Sequence, residues 1–186
     1  MCGIAGYIGK SLVSKDSILK TLHLMKRRGP DFNNSKSFEF YDNKINVNLL
    51  HSRLSIIDLE QRSNQPFSIY PYTLIFNGEI YNYKELKSLL KKRGVKFKTT
   101  GDTEVLLQMY INYGDSFFKY LEGMWSLAIW DDFKKKLLIS RDRFGEKPLY
   151  YYSNNKGFFF GSEIRFISQL SSSEFNINYN KISNYM

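Results

Sequence analysis

The amino-acid sequence predicts an α+β fold of two facing, mainly antiparallel sheets with helices on their outer faces. Three observations point to it. Short apolar segments with a period of two recur along the 186 residues. Turn chemistry of the hairpin kind joins neighbouring segments, and a few amphipathic helical stretches end at glycine.

Taken in order, the glycine-spaced opening "MCGIAGYIG" suits close backbone packing. A helix fits residues 15–28. In "KINVNLLHSRLS", beginning at Lys44, alternation puts Ile45, Val47, Leu49 and His51 on one face, the pattern of a half-buried strand. "YTLIFN" (72–77) is the next strand-like run. Helices follow over 83–93, where Leu86, Leu89 and Leu90 share a face and Gly94 stops the run, and over 103–112, stopped near Gly114. "MWSLAIWD" and "KKLLIS" are strands joined through "DDFKKK", and "PLYYYS" and "GFFFGS" are strands joined through "SNNKG". A last helix covers 162–170.

Composition narrows the function. With 42% hydrophobic and 24% charged residues the chain reads as one globular domain. Its longest apolar runs, such as "WSLAIW", are too short to cross a membrane, and the start lacks the basic and apolar regions of a secretory signal, so a cytoplasmic location is expected. One cysteine excludes an intrachain disulfide framework; with two scattered histidines it makes no metal-ligand cluster, and no metal is expected. The net charge of +9 raises nucleic-acid binding as an alternative. The basic runs Lys26-Arg27-Arg28 and Lys91-Lys92-Arg93 close helical patterns, however, and Lys134-Lys135-Lys136 sits in a hairpin turn. No stripe joins them, so the expectation is against nucleic acid.

The single cysteine is Cys2. By residue type a lone cysteine is usually a small buried hydrophobe. Its position suggests more: once Met1 is removed, Cys2 carries a thiol and a free α-amine, which at a pKa of about 7.7–8.0 can accept the thiol proton near neutrality. Asn77-Gly78, in "FNGEIYN", reads either as a turn or as an oxyanion hole built from an asparagine amide and an unobstructed glycine N–H. Arg53 is either solvated at a strand end or a bidentate clamp for an α-carboxylate. Asp102 either caps the following helix or receives an α-ammonium. A thiol protease pairing Cys2 with His51 is a weaker alternative, because a histidine base would make the terminal amine unnecessary.

Together, "MCGIAGYIG", "RRGPD", "HSRLSIIDL", "NQPF", "FNGEIYNYKEL", "TGDTEVLL", "LEGMWSLAIWD", "RDRFGEKPLYYY" and "GSEI" resemble, in order, the glutaminase domain of glutamine-hydrolysing asparagine synthetases. These are class II amidotransferases with an N-terminal nucleophile. The resemblance implies a four-layer αββα sandwich over residues 1–170. It also implies Cys2 as nucleophile, Asn77 and Gly78 as oxyanion hole and Arg53 as the glutamine α-carboxylate ligand. Glu79 and Asp102 would contact the α-ammonium, and Leu54, Ile56, Ile57 and Asn82 would line the rest of the pocket. Trp125 and Leu127 replace the family's more usual phenylalanine and alanine without touching that set. The implied reaction is hydrolysis of L-glutamine to glutamate and ammonia, with no cofactor. ATP and Mg belong by implication to a synthetase domain, a partner in cis or trans whose "SGGLDSS"-like loop is not found here. Residues 171–186 resemble the start of the linker toward it. A catalytically idle remnant serving as a binding module is the alternative to a working glutaminase.

Overall fold

The computed structural model describes residues 1–40 and 45–175. The expected linker residues 176–186 and Lys44, the first residue of "KINVNLL", lie outside them. The first sheet contains β1 (Gly3–Gly9), β2 (Phe32–Phe40) and β3 (Ile45–Arg53). The second contains β4 (Phe67–Ile69), β5 (Tyr72–Ile80), β6 (Gly123–Asp131) and β7 (Lys136–Arg141); β8 (Tyr150–Asn154) and β9 (Gly157–Gly161) return to the first. The strand orders are β2-β3-β1-β9-β8 and β4-β5-β6-β7, and every pairing among the described residues is antiparallel.

Alternation along the central strands sorts side chains into three layers of core. Ile4, Val47, Leu49, Ile75, Ala128, Trp130 and Phe160 meet between the sheets. On the far side of the first sheet, Ala5, Tyr7, Leu50 and Phe159 pack against α1 (Lys15–Met25) and a C-terminal helix over Ile164–Ser171, through Met25, Phe166, Ile167 and Leu170. On the far side of the second, Leu74, Phe76, Leu127 and Ile129 pack against α2 (Tyr83–Lys92) and α3 (Asp102–Tyr113), through Leu86, Leu90, Val105, Leu106 and Met109. With the C-terminal helix as α4, the layers run α1/α4, sheet, sheet, α2/α3, the predicted αββα order.

Several details differ from expectation: α3 runs one residue beyond 103–112 at each end, α4 covers Ile164–Ser171 rather than 162–170, and the short β4, like β2, is not among the expected strands. β3 is buried on both faces rather than one, because helices cover the side of the first sheet that the second sheet does not. β2 has no counterpart in the sequence reading; its mostly polar "FNNSKSFEF" is an edge strand paired with β3 along all nine residues. Helix α1 begins at the Ser14 cap, whose hydroxyl accepts the Ser17 N–H, but ends at Met25 instead of residue 28. The chain must leave the helix before Pro30, and Gly29 then runs so close to β3 that an added Cβ would lie 2.4 Å from the Ser52 carbonyl carbon. Helix α2 ends one residue before the expected Arg93, with Gly94 in the left-handed region at φ 86°. The two expected hairpins form as read: Asp131 Oδ1 accepts the Phe133 and Lys134 N–H groups in one, and Asn154 Oδ1 accepts those of Lys156 and Gly157 in the other.

Candidate active site

Cys2 sits one residue before β1, and three contacts fix it. The Leu54 N–H donates to Sγ at 3.4 Å, the thiol faces the Leu54 carbonyl at 3.6 Å, and Arg28 Nε donates to the Cys2 carbonyl at 2.9 Å. Glu163, at the start of α4, holds Arg28 in turn at 3.3 Å. Burial pushes the thiol pKa up, while the Leu54 N–H and the positive charges of the chain terminus and Arg53 pull against it. Arg28, from "RRGPD", is expected only within a basic run closing a helix; α1 instead ends at Met25, and Arg28, beyond it, carries its guanidinium to the Cys2 carbonyl.

Opposite Cys2 stands the edge of β5. Strand β4 pairs with β5 only as far as Leu74, so residues 76–80 have a neighbour, β6, on one side alone. On the open side the Phe76 N–H donates to Gln65 Oε1 at 2.6 Å and the Ile80 N–H donates to Asp102 Oδ2 at 3.1 Å. Peptide groups along a strand alternate in direction, so the Gly78 N–H, midway between these two, points the same way. It is the rung left for a ligand. Asn77 is buried, and its amide reaches Ser126 Oγ on β6 at 3.5 Å. The two groups proposed for an oxyanion hole therefore line one pocket with Cys2. The packing of β5 on β6 itself calls for glycine here: a Cβ on Gly78 would lie 2.2 Å from the Met124 carbonyl on β6.

The pocket has a cavity volume of about 110 Å³, and Leu54, Ile56, Ile57, Glu79, Asp102 and Thr103 complete its walls, with Met1 and Lys147 at its border. The Lys147 ammonium lies 3.7 Å from the Met1 sulfur. Asp102 is the first residue of α3, whose N-cap is Gly101 without a side-chain capping bond; its carboxylate accepts the Ile80 N–H, sits beside the first N–H groups of the helix and lines the pocket. Burial, opposed by these hydrogen bonds and reinforced by the nearby Glu79, raises its pKa to about 6. Asp58 ties two walls together by accepting the Thr100 N–H at 2.6 Å, just ahead of α3.

Two expected ligands stand apart. Arg53 is 5% exposed and does not line the pocket. Its guanidinium donates to the Glu60 carbonyl at 3.2 Å, Asn64 Oδ1 at 2.7 Å, the Ile57 carbonyl at 3.3 Å and the Asp58 carbonyl, and so ties down the loop after β3. Asn82 is likewise outside: its amide donates to the Tyr120 carbonyl at 2.8 Å and accepts the Glu122 N–H at 3.2 Å, fastening the start of α2 to the turn before β6. The cysteine–histidine alternative loses its geometry. His51 is wholly buried between the sheets, bonded through Nε2 to the Phe76 carbonyl at 3.1 Å, and burial drops its pKa to about 3.

The full chain, residues 1–186, matches the family model described as "Glutamine amidotransferase domain". The chain belongs to that family. The amidotransferase domain is 36% identical over 173 residues to asparagine synthetase [glutamine-hydrolyzing] 3 of Bacillus subtilis, covering 90% of this chain and 27% of that protein. It is 36% identical over 199 residues to a putative asparagine synthetase 2 of Methanocaldococcus jannaschii, covering 97% and 38%. To B. subtilis asparagine synthetase 2 it is 41% identical over 174 residues, covering 89% and 22%. The chain thus spans well under half the length of these relatives. Among solved structures, the glutamine phosphoribosylpyrophosphate amidotransferase of B. subtilis superposes with a TM-score of 0.74 at 19% identity, over 91% of this chain and 44% of that one. That likeness shows the fold, the two-sheet sandwich of the amidotransferases.

Elsewhere on the amidotransferase domain, a surface groove is lined by Arg62, Lys87, Lys91, Lys96 and Lys98. Of these cations only Lys91 belongs to a basic run read from the sequence, one closing a helix; the fold gathers it with the other four. Among the described residues no group of three or more histidine, cysteine, aspartate or glutamate side chains could hold a metal ion, and no helix is long and apolar enough to cross a membrane.

Proposed function

We propose that this domain hydrolyses L-glutamine to glutamate and ammonia, and that the ammonia serves an ATP-dependent amidation of the asparagine-synthetase type on a synthetase domain, in cis or in trans. The observation that carries the reading is the convergence of the Cys2 thiol, the open Gly78 rung with the Asn77 amide, and two carboxylates, Glu79 and Asp102, on one pocket. With Met1 removed, the Cys2 α-amine takes the thiol proton and the thiolate attacks the glutamine side-chain carbonyl carbon. The oxygen gains the negative charge, facing the Gly78 N–H and Asn77 amide. Collapse breaks the C–N bond, and the nitrogen leaves as ammonia with the proton returned from the amine. Water then adds to the γ-glutamyl thioester and releases glutamate and the thiol.

Asp102 and Glu79 receive the substrate α-ammonium in this scheme, with Leu54, Ile56 and Ile57 as walls. Binding of the α-carboxylate by Arg53 requires its guanidinium to release at least one loop acceptor, and Asn82 acts at a distance by fixing the start of α2. The reaction uses no cofactor; ATP and Mg belong to the synthetase. The catalytic unit extends over residues 1–170, with the linker from 171. A cytoplasmic setting without nucleic-acid or membrane partners belongs to the same proposal.

The test is glutamate release by protein whose amino terminus has been defined by mass spectrometry. Protein beginning at Cys2 is expected to release glutamate, and a short uncleaved tag before Cys2 to abolish release without lowering the melting temperature, since an amide nitrogen cannot accept the thiol proton. No release from correctly trimmed protein would favour the idle binding module. Full release from protein retaining Met1 would overturn the terminal base.

A further inference from the structure

Gln65, in the quoted "NQPF" but given no role by the sequence reading, is 5% exposed and borders the pocket. Both ends of its side-chain amide are engaged by one residue. Its Oε1 accepts the Phe76 N–H at 2.6 Å, and its Nε2 donates to the Phe76 carbonyl at 3.2 Å. That is the bonding a neighbouring strand would supply, and it occurs where β4 has already ended. His51 Nε2 adds a second donor to the same carbonyl, at 3.1 Å, from the opposite sheet. The peptide flanked in this way immediately precedes Asn77 and lies two residues from Gly78.

Building on the glutaminase reading above, we infer that Gln65, seconded by His51, is a positioning residue for the oxyanion hole. Its amide replaces a missing strand and holds the Phe76 peptide, so that the Asn77 amide and the Gly78 N–H keep their aim at the developing oxyanion. The free edge of β5 then has three successive rungs with separate duties: Gln65 holds Phe76, the substrate amide meets Gly78, and Asp102 holds Ile80. Buried peptide groups deprived of partners shift to find others. A displacement of about 1 Å at a catalytic group can lower a rate on the order of 10²-fold.

Gln65→Met keeps the volume and removes both bonds. It is expected to lower kcat for glutamine about 10- to 100-fold with KM changed less than about threefold, while Cys2 alkylation by iodoacetamide proceeds at the wild-type rate. Gln65→Glu, which keeps an acceptor for the Phe76 N–H, should recover part of that loss. Amide hydrogen exchange across residues 76–78 should quicken in Gln65→Met and in His51→Phe. A lowered melting temperature with kcat intact would make Gln65 merely structural and overturn the inference. If the wild type releases no glutamate, the glutaminase reading itself fails. The positioning role then fails with it, and exchange at 76–78 shows only whether Gln65 holds the Phe76 peptide; in an active enzyme, unchanged protection there overturns the role by itself.

Discussion

Asp102 gives the candidate site its own pH dependence. Burial raises its pKa from 3.8 to about 6, against the pull of the Ile80 N–H, so the pocket face proposed for the substrate α-ammonium loses negative charge just below neutrality. A protonated carboxyl attracts an ammonium far less than a carboxylate does. The glutamine KM is therefore expected to rise as pH falls through about 6 and to level off above 7, whereas Asp102→Asn should show a high KM with no inflection there. Initial-rate kinetics from pH 5 to 8 check this; an identical inflection in the asparagine variant would assign the titration elsewhere. The stability contribution has the opposite sense. A carboxyl whose pKa is higher folded than unfolded binds its proton more tightly when folded, so this group's contribution to stability declines as pH rises from about 4 to about 6. Binding and stability pull Asp102 in different directions, as expected for a group held for function.

Among the elements, the loop after β7 is organised by Asp142, whose carboxylate accepts the N–H groups of Trp125 at 3.3 Å, Phe144 at 3.1 Å, Glu146 at 2.9 Å and Lys147 at 3.0 Å. Burial works to raise its pKa, but these donors, led by Lys147, outweigh it and hold the carboxyl below its usual value. Its stabilisation is thus present above the unfolded carboxyl pKa of about 3.9 and is lost as pH falls through the lower folded value. Asp142→Ala, which strands four donors, is expected to cost about 2–4 kcal/mol in urea unfolding at pH 7 and less at pH 3; equal losses at both would mean the charge is not what holds the loop. In the sequence, strands with strong alternation or flanking turn residues were legible, as were helices with glycine stops. β2 was not, since its apolar residues, Phe32, Phe38 and Phe40, are spaced among polar ones, and Phe38 and Phe40 acquire meaning only against Trp130. The candidate site divides similarly. Cys2, Asn77 and Asp102 declare themselves by chemistry and position, but Arg28, Gln65, Asp58 and Lys147 matter through partners 11 to 146 residues away or on loops whose path only the fold defines. Arg53 has the right chemistry, yet the loop carbonyls reach its guanidinium first.

At the scale of the whole molecule, family membership and sandwich order agree, and the cores lie on both sides of each sheet. Cys2 leads into β1 of one sheet, whereas Asn77 and Gly78 belong to β5 of the other. The proposed nucleophile and the proposed oxyanion hole are therefore carried by two separate plates, with the side chains of the interior between them. For the proposed reaction the thickness of that filling would act as a spacer gauge, set by residues with no access to the pocket. Ala128, fully buried between the plates, is the narrowest spacer. Ala128→Leu is expected to force the plates apart, costing about 1–3 kcal/mol of stability and lowering kcat about tenfold or more. Leu127→Met, one residue away but facing α3, should leave kcat within about twofold. Equal kinetic effects from the two would show that the plates yield independently of the gap. Inherited or engineered changes in activity can then be sought in the packing between the plates as well as around Cys2, at positions that never meet a substrate.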